Sequence, residues 1–435
     1  MTVILVTFGG TGDVHPMVAL GQALYRRGHQ VCFISNPYFE PLARAIGLEF
    51  VRFGSAEQFT DRMRGTGARS LKKRFVRALV SMSWASQGIA RWRLRGQSVV
   101  GPMRWLYEFI RARYVPGETV VAARANNFGA RIAQEKLGVP LVTIHVQPAM
   151  IRSVYEAPGF PLPDADGPML RALRRMFWAL IDAYADRLVL PETNAFRSEL
   201  GLAPVRRPFS RWVHSPELLI GLFPEWFAGV QPDWPPNTHL VGFPMFDQAG
   251  MKEIPSEVET FFAAGEPPIV FTSGSVFRHI SRFFDVAVRA CQKLKKRGLL
   301  LSPASEFVPR DLPQTVRYFE YVPLSSVLPR AAGIVHHGGI GTAALAFAAG
   351  VPQLVVPFVD DQFDNAVRIQ RLGTGLKISH HSFQPKIVAK KLEFLLGSEA
   401  VGRSCRSIMA RVRQQDPLSE ACRLVEELNA RCAQN

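Results

Sequence analysis

The chain has only five cysteines among 435 residues, at positions 32, 291, 405, 422 and 432, and no Cys-x-x-Cys pair. That argues against a disulfide-stapled fold and against a thiolate metal centre, and it fits reduced thiols in a cytoplasmic protein. No run of about 18 uncharged apolar residues occurs, so no membrane-spanning helix is expected. The N-terminus, Met1-Thr-Val-Ile-Leu-Val-Thr-Phe8, has no basic stretch ahead of its apolar residues and runs into Gly9-Gly10. It reads as a first strand, not a leader. No loop carries Gly-Lys-Ser/Thr, which excludes a Walker-type phosphate loop. Acid is scarce, 36 Asp and Glu against 52 Lys and Arg, for a net charge of +16. No helix-turn-helix, RNP or zinc-finger signature accompanies that charge, so nucleic acid is not an expected partner.

The excess base is concentrated. Residues 61–113 hold thirteen Arg or Lys and two acids. Lys72-Lys-Arg-Phe-Val-Arg77 and Arg91-Trp-Arg-Leu-Arg95 interleave cations with large apolar groups. A solvated helix face explains such a run by default. An anionic membrane surface or an anionic amphiphile would also suit it, with Lys72, Arg74 and Trp92 as contacts.

Apolar content of 47% and charged content of 20% describe a globular chain long enough for two domains. Short apolar strands alternate with helical patterns in both halves. Val3–Thr7, Val31–Ser35, Leu48–Phe53, Thr119–Ala122 and Leu141–Val146 read as strands in the first half. Ile269–Thr272, Leu299–Leu301, Val316–Phe319, Gly333–His336, Leu354–Val356 and Leu376–Ile378 do so in the second. This alternation predicts two parallel sheets covered on both faces, that is, two doubly wound domains with ligands bound at strand C-terminal ends in the cleft. The proline-rich stretch around Pro232, Pro235 and Pro236 marks the connection. The expected division is an acceptor-side domain over 1–230, a linker over 231–265, a nucleotide-side domain over 266–415, and a helix over 416–435 packing back on the first domain.

The run His336-His337-Gly338-Gly339-Ile340-Gly341-Thr342 follows one of these strands and opens a helix. A glycine turn lets phosphate approach the backbone, and the helix N-terminus offers free N–H groups and a positive dipole end. Downstream, Asp361-Gln362-Phe363-Asp364-Asn365 supplies acceptors suited to sugar hydroxyls. Gly339-Ile-Gly341-Thr-Ala-Ala344 also fits the loose dinucleotide pattern G-x-G-x-x-A, with Asp360 about twenty residues on. On this junction alone, a nucleotide-sugar site, a dinucleotide site and a purely structural turn remain open. The first loop, Gly9-Gly-Thr-Gly-Asp-Val-His-Pro16, lacks the third glycine of a dinucleotide fingerprint, and the second strand ends in Ser35-Asn36 rather than in an acid. It offers Asp13, either as a catalytic carboxylate in the cleft or as the N-cap of a helix starting at Val14.

Gly12-Asp13-Val14-His15-Pro16 resembles the start of the GT-B glycosyltransferases of family 1. Plant members carry G-H-x-x-P there, with the histidine as base, and bacterial antibiotic and sterol glycosyltransferases carry G-D-V-x-P. Tyr321-Val-Pro-Leu324 resembles W-x-P-Q, whose aromatic stacks on the nucleotide base. His337-Gly-Gly-Ile-Gly-Thr342 resembles H-x-G-x-x-[ST], whose histidine meets the diphosphate. Pro357-Phe-Val-Asp-Asp361-Gln362, continued by Asn365-Ala366, resembles P-x-x-x-[DE]-Q-x-x-N-[AS], whose acid–glutamine pair holds the sugar. Thr272-Ser-Gly-Ser275 is similar to the phosphate-side serine turn.

The resemblance implies an α/β GT-B fold: two doubly wound Rossmann-like domains facing across a cleft. It implies Asp13 as the base of an inverting transfer. It places Gly12, Ser275, Tyr321, His337, Gly339, Gly341, Thr342, Asp361 and Gln362 around the donor. His15, the second-choice base, and His145 at the end of the fifth strand fall on the acceptor side. The only co-substrate is a nucleotide sugar; no metal or other cofactor is expected, and Asp164-Ala-Asp166 lies in a Pro/Gly loop unlike a metal-binding D-x-D.

Within the family, Arg131 to Lys136, Leu222 to Phe227, Asp233-Trp-Pro235 and Gly242 to Asp247 are similar to rhamnolipid rhamnosyltransferases. That likeness implies dTDP-L-rhamnose as donor and a hydroxyalkanoyloxy-alkanoate lipid as acceptor. It also implies a cytoplasmic enzyme peripheral to the inner membrane face and an acceptor-synthesising enzyme as partner.

Three departures qualify the likeness. Leu324 replaces the glutamine and Tyr321 the tryptophan of the base-stacking motif. The fourth strand ends in Ala122-Ala-Arg124, where the plant enzymes' dyad needs an acid. Residues 55–115, where an acceptor pocket would form, carry no legible signature. The alternatives are a UDP-glucose-dependent glucosyltransferase acting on a sterol, polyketide or other hydrophobic acceptor, an NAD-dependent oxidoreductase, and a non-catalytic sugar-nucleotide-binding partner.

Overall fold

The fold is that of a computed structural model, which describes residues 1–57, 98–158, 166–251, 253–274 and 282–434. Lys72, Arg74, Trp92, Asp164 and Ser275 lie outside the described residues.

The first lobe is built on β1 (Thr2–Val6), β2 (Gln30–Ser35), β3 (Glu49–Arg52), β4 (Thr119–Arg124), β5 (Leu141–His145), β6 (Leu218–Gly221) and β7 (Thr238–Leu240). They form one parallel sheet in the order β3-β2-β1-β4-β5-β6-β7. Along β1, Val3 and Leu5 enter one core while Ile4 and Val6 enter another on the opposite face. A strand buried on both faces must be apolar throughout, which is why these segments read as unbroken apolar runs.

The second lobe repeats the scheme with β8 (Ile269–Thr272), β9 (Gly298–Leu301), β10 (Val316–Phe319), β11 (Gly333–His336), β12 (Gln353–Val355) and β13 (Gly375–Lys377). Their parallel order is β10-β9-β8-β11-β12-β13. Each sheet reverses its winding beside its first strand, between β1 and β4 and between β8 and β11. The loops leaving such a pair diverge and open a crevice at the strand C-termini.

Four helices position the site: α1 (Thr11–Arg26), α2 (Ile340–Ala349), α3 (Gln362–Arg371) and α4 (Pro417–Ala433). An apolar cluster shared by both lobes joins Phe223, Phe227 and Phe243 to Ile340, Ala343 and Phe347 of α2 and Ile369 of α3. Trp226 packs edge-on against Phe243 and Phe347, and Trp234 is buried in the same cluster, so both serve packing. An ionic clamp reinforces the junction. Glu156, on the loop after β5, accepts hydrogen bonds from Arg368 at 3.0 Å and Arg371 at 2.7 Å on α3.

The domain map differs from expectation in one respect. β7 lies inside the 231–265 stretch expected as linker, where it forms the edge of the first sheet. Helix α4 crosses to the first lobe, where Ala421, Cys422, Leu424, Val425 and Leu428 fill one face of its core. Glu426 of α4 pairs with Arg27 at 2.7 Å and with His29 at 2.7 Å. Among the described residues no helix is long and apolar enough to cross a membrane.

Candidate active site

Helix α1 begins at Thr11, two residues before Asp13, so Asp13 is not its N-cap. The carboxylate instead folds back over the first turn, and its Oδ2 accepts the Gly10 N–H at 2.9 Å. Such a bond satisfies one of the donors left free where a helix starts. Gly9 makes room for this arrangement: a Cβ there would lie 1.9 Å from Asp13 Oδ2. The other oxygen, Oδ1, meets Nη1 of Arg124 at 2.8 Å. Arg124 ends β4, the neighbour of β1, and also donates to the Phe8 carbonyl at 3.0 Å. It is 6% exposed, and burying an unpaired guanidinium costs several kcal/mol; Asp13 and the Phe8 carbonyl offset that cost. Asp13 itself remains partly open to the cleft, its side chain 26% exposed.

On the facing wall, the turn after β11 leads into α2, whose N-cap is Gly339 and which has no side-chain cap. Its first-turn N–H groups therefore present the positive end of the helix to the cleft. Gly341 is exposed and Thr342 half-buried in that turn. His337 stands beside it in a slot walled by glycines: a Cβ on Gly274 would lie 2.3 Å from its ring and one on Gly339 2.4 Å. Burial lowers the His337 imidazole to about 4, so at neutral pH the ring is uncharged. Its buried Nδ1 has no partner.

His336, the adjacent residue, is fully committed to the protein. Its Nε2 meets Oε1 of Gln353 at 3.0 Å and its Nδ1 accepts the Gly338 N–H at 3.1 Å.

The β12–α3 loop closes the site. Asp361 is pushed up to about 8 by burial, by Asp360 beside it and by the charge of Asp13 across the cleft. Asn365 holds the loop in place, its Nδ2 donating to Asp361 Oδ2 at 2.8 Å and to the Gly338 carbonyl at 2.9 Å. Gln362 is buried and uses its Oε1 to accept the Phe358 and Val359 N–H groups at 2.8 and 3.0 Å. That oxygen is spent on shaping the turn.

The other expected residues are spread around this centre. Tyr321 is 37% exposed and donates its hydroxyl to the Asp247 carbonyl. The Asp247 carboxylate accepts both the N–H and the hydroxyl of Ser325, at 2.7 and 3.0 Å. The interlobe connection therefore fixes the loop that bears Tyr321. Gly12 lies exposed in the first turn of α1, with open space around it. His15 is wedged edge-on between Phe246, 5.3 Å away, and Phe39, 6.4 Å away, and burial lowers it to about 4.

His145 does not line the cleft. It is 1% exposed and bonded to His214 at 3.2 Å, because the end of β5 is roofed by the segment that leads into β6. Among the described residues no three His, Cys, Asp or Glu side chains gather as a metal set. Asp166 is taken by Arg171, whose Nε lies 2.6 Å from Oδ1.

Two Rossmann-like lobes, a carboxylate at the switch point of one and a glycine-turn helix N-terminus at that of the other, define the GT-B class. The chain is a glycosyltransferase of the GT-B type, and a known domain family matches within each half. Residues 3–156 match the glycosyltransferase family 28 N-terminal domain. Residues 302–428 match the C-terminal domain of the erythromycin biosynthesis protein CIII-like family. The chain is 28% identical to the O-mycaminosyltylonolide 6-deoxyallosyltransferase of Streptomyces fradiae over 98% of its own length and 97% of the relative's. Its fold is similar to that of the kitacinnamycin glycosyltransferase, with a TM-score of 0.72, 19% identity and 98% of each chain covered. It is likewise similar to glycosyltransferase VinC, solved with dTDP, with a TM-score of 0.67, 21% identity, and 99% of this chain and 100% of that one covered.

The bracing roles of Arg124, Gly274 and Asn365 are not legible in any motif. Gly274 and Asn365 sit inside recognised motifs but act on neighbours distant in sequence. Arg124 reads as an ordinary strand end until β4 is placed beside β1.

Proposed function

We propose that the chain transfers L-rhamnose from dTDP-L-rhamnose, with inversion and without a metal, to a hydroxyl of an anionic lipid acceptor of the hydroxyalkanoyloxy-alkanoate class. The observation that carries this reading is the convergence of Asp13, at the switch point of the first lobe, with His337 and the α2 N-terminus at that of the second, and Asp361 on the next loop. Asp13 takes the proton of the acceptor hydroxyl as its oxygen attacks the anomeric carbon. The bond from that carbon to the nucleotide diphosphate breaks, and the diphosphate leaves with the electron pair. Its charge meets the first-turn N–H groups of α2 and the neutral imidazole of His337. Asp361 is the group proposed to hydrogen-bond the sugar.

The thymidine nucleotide is supported by VinC, a structural relative solved with dTDP, and by the departure of Tyr321 and Leu324 from the motif of UDP-glucose enzymes. A hydrophobic acceptor is supported by a half-buried aromatic ladder leaving the Asp13 loop. Phe8 and Phe53 are 4.6 Å apart, Phe53 and Trp105 4.9 Å, and Trp105 and Phe109 5.4 Å between ring centroids. The negative headgroup and a peripheral place at an anionic membrane rest on the basic composition of residues 61–113 and on likeness to rhamnolipid enzymes. A second reading, glucose transfer from UDP-glucose to a polyketide or sterol, uses the same base and the same aromatic wall.

Calorimetry with dTDP, UDP and NAD, followed by turnover assays with dTDP-rhamnose and UDP-glucose against hydroxyalkanoyloxy-alkanoates, tests the proposal. Tight dTDP binding and rhamnosyl transfer are expected. Turnover with UDP-glucose alone favours the second reading, and binding of NAD in place of dTDP overturns both.

A further inference from the structure

We infer that Arg124 is the positioning partner of Asp13, holding from the neighbouring strand the carboxylate that serves as base. The inference rests on the proposed role of Asp13. Arg124 is buried at the end of β4, and its guanidinium reaches Asp13 Oδ1 at 2.8 Å. Its Nη1 is also anchored on the Phe8 carbonyl at 3.0 Å, so the guanidinium cannot swing away without losing two partners.

Among the described residues, the charged groups that bear on Asp13 come from two elements. Arg124 comes from β4, and Asp361, with Asp360 next to it, comes from the loop ahead of α3. His15, two residues further along α1, is kept neutral by burial between Phe246 and Phe39. Among the described residues Asp361 is bonded to the neutral Asn365 amide, whereas the buried Arg124 guanidinium is bonded to Asp13.

Room for catalysis remains. Arg124 takes one lone pair of Oδ1 and the Gly10 N–H one of Oδ2, and each carboxylate oxygen has a second. The acceptor hydroxyl delivers its proton to one of these, and Arg124 keeps its own proton throughout.

The test compares Arg124→Gln, Arg124→Lys and Asp13→Asn, with kcat/KM for the acceptor measured at saturating donor and dTDP affinity measured on the same preparations. Arg124→Gln is expected to lower kcat/KM for the acceptor about tenfold or more, because the Asp13 carboxylate is no longer held in its productive geometry, with dTDP affinity unchanged. Arg124→Lys, which keeps a cation for Asp13 Oδ1, should restore most of the activity, and it keeps the test valid if the glutamine variant folds poorly. A glutamine variant with wild-type kcat/KM, or a loss that lysine does not rescue, overturns the inference. If Asp13→Asn turns over normally, the base assignment falls and this inference with it. An inactive Asp13→Asn beside a fully active Arg124→Gln overturns this inference alone.

Discussion

Gly274 and His337 are in contact so close that a Cβ on the glycine would lie 2.3 Å from the imidazole. Gly274 follows β8 and His337 follows β11, the pair of strands that flank the switch point of the second lobe. Gly274 also has φ +70°, a conformation that side chains disfavour. Gly274→Ala should therefore push the His337 ring out of its slot without touching the nucleotide itself. One hydrogen bond to a charged group is worth about 1.5–3 kcal/mol, so dTDP affinity should fall about tenfold or more. Calorimetry reads this directly, and unchanged affinity would mean that His337 does not depend on its slot.

The two adjacent histidines should separate cleanly. His337→Ala should weaken dTDP binding and leave unfolding nearly as it was, because its Nδ1 has no protein partner to lose. His336→Ala should do the reverse. It strands Gln353 and the Gly338 N–H in the core, at a cost of about 1–3 kcal/mol per unsatisfied buried group. Thermal melts and dTDP titrations of both variants check the pair.

Stability should depend on pH in two opposed ways. Burial lowers His15, His214 and His337 to about 4 and His336 to about 3. An unfolded chain protonates these rings near pH 6.5, whereas the folded one does not, so the unfolded state binds more protons in between. Their contribution is full above about pH 6.5 and is lost as pH falls towards 4. Asp361, raised to about 8, works the other way: the folded state holds its proton while the unfolded state has lost it. Its penalty grows as pH rises from about 4 to 8. Urea unfolding should show lower stability at pH 5 than at pH 7. Asp361→Asn should raise the unfolding midpoint more at pH 8 than at pH 5, and equal gains at both would contradict the burial of its charge.

The expected strands of both sheets coincide closely with β1 to β5 and β8 to β13, since a doubly covered parallel strand must be apolar on both faces. The edge strand β7 was not legible: Thr238–Leu240 is three half-exposed residues inside a proline-rich stretch. Donor-side residues were legible because each motif is contiguous, a strand end followed by a turn and a helix start. The Asp13–Arg124 pair was not, because 111 residues separate its members in sequence and only the β1–β4 pairing brings them together. His145 ends an apolar strand just as Arg124 does. Only the segment packed over β5 tells that one end is roofed and the other meets the cleft.

The central claim is that Asp13 is the base of the transfer and not merely a brace for the start of α1. Asp13→Asn keeps an oxygen for the Gly10 N–H and the volume of the side chain, but it cannot accept the proton. The decisive measurement pairs single-turnover transfer by this variant with dTDP calorimetry on the same preparation. The account expects turnover to fall by about 10²–10⁴-fold with dTDP affinity within about twofold of wild type, since the donor lies on the other lobe. Near-normal turnover, or a loss matched by an equal loss of dTDP affinity, would contradict it.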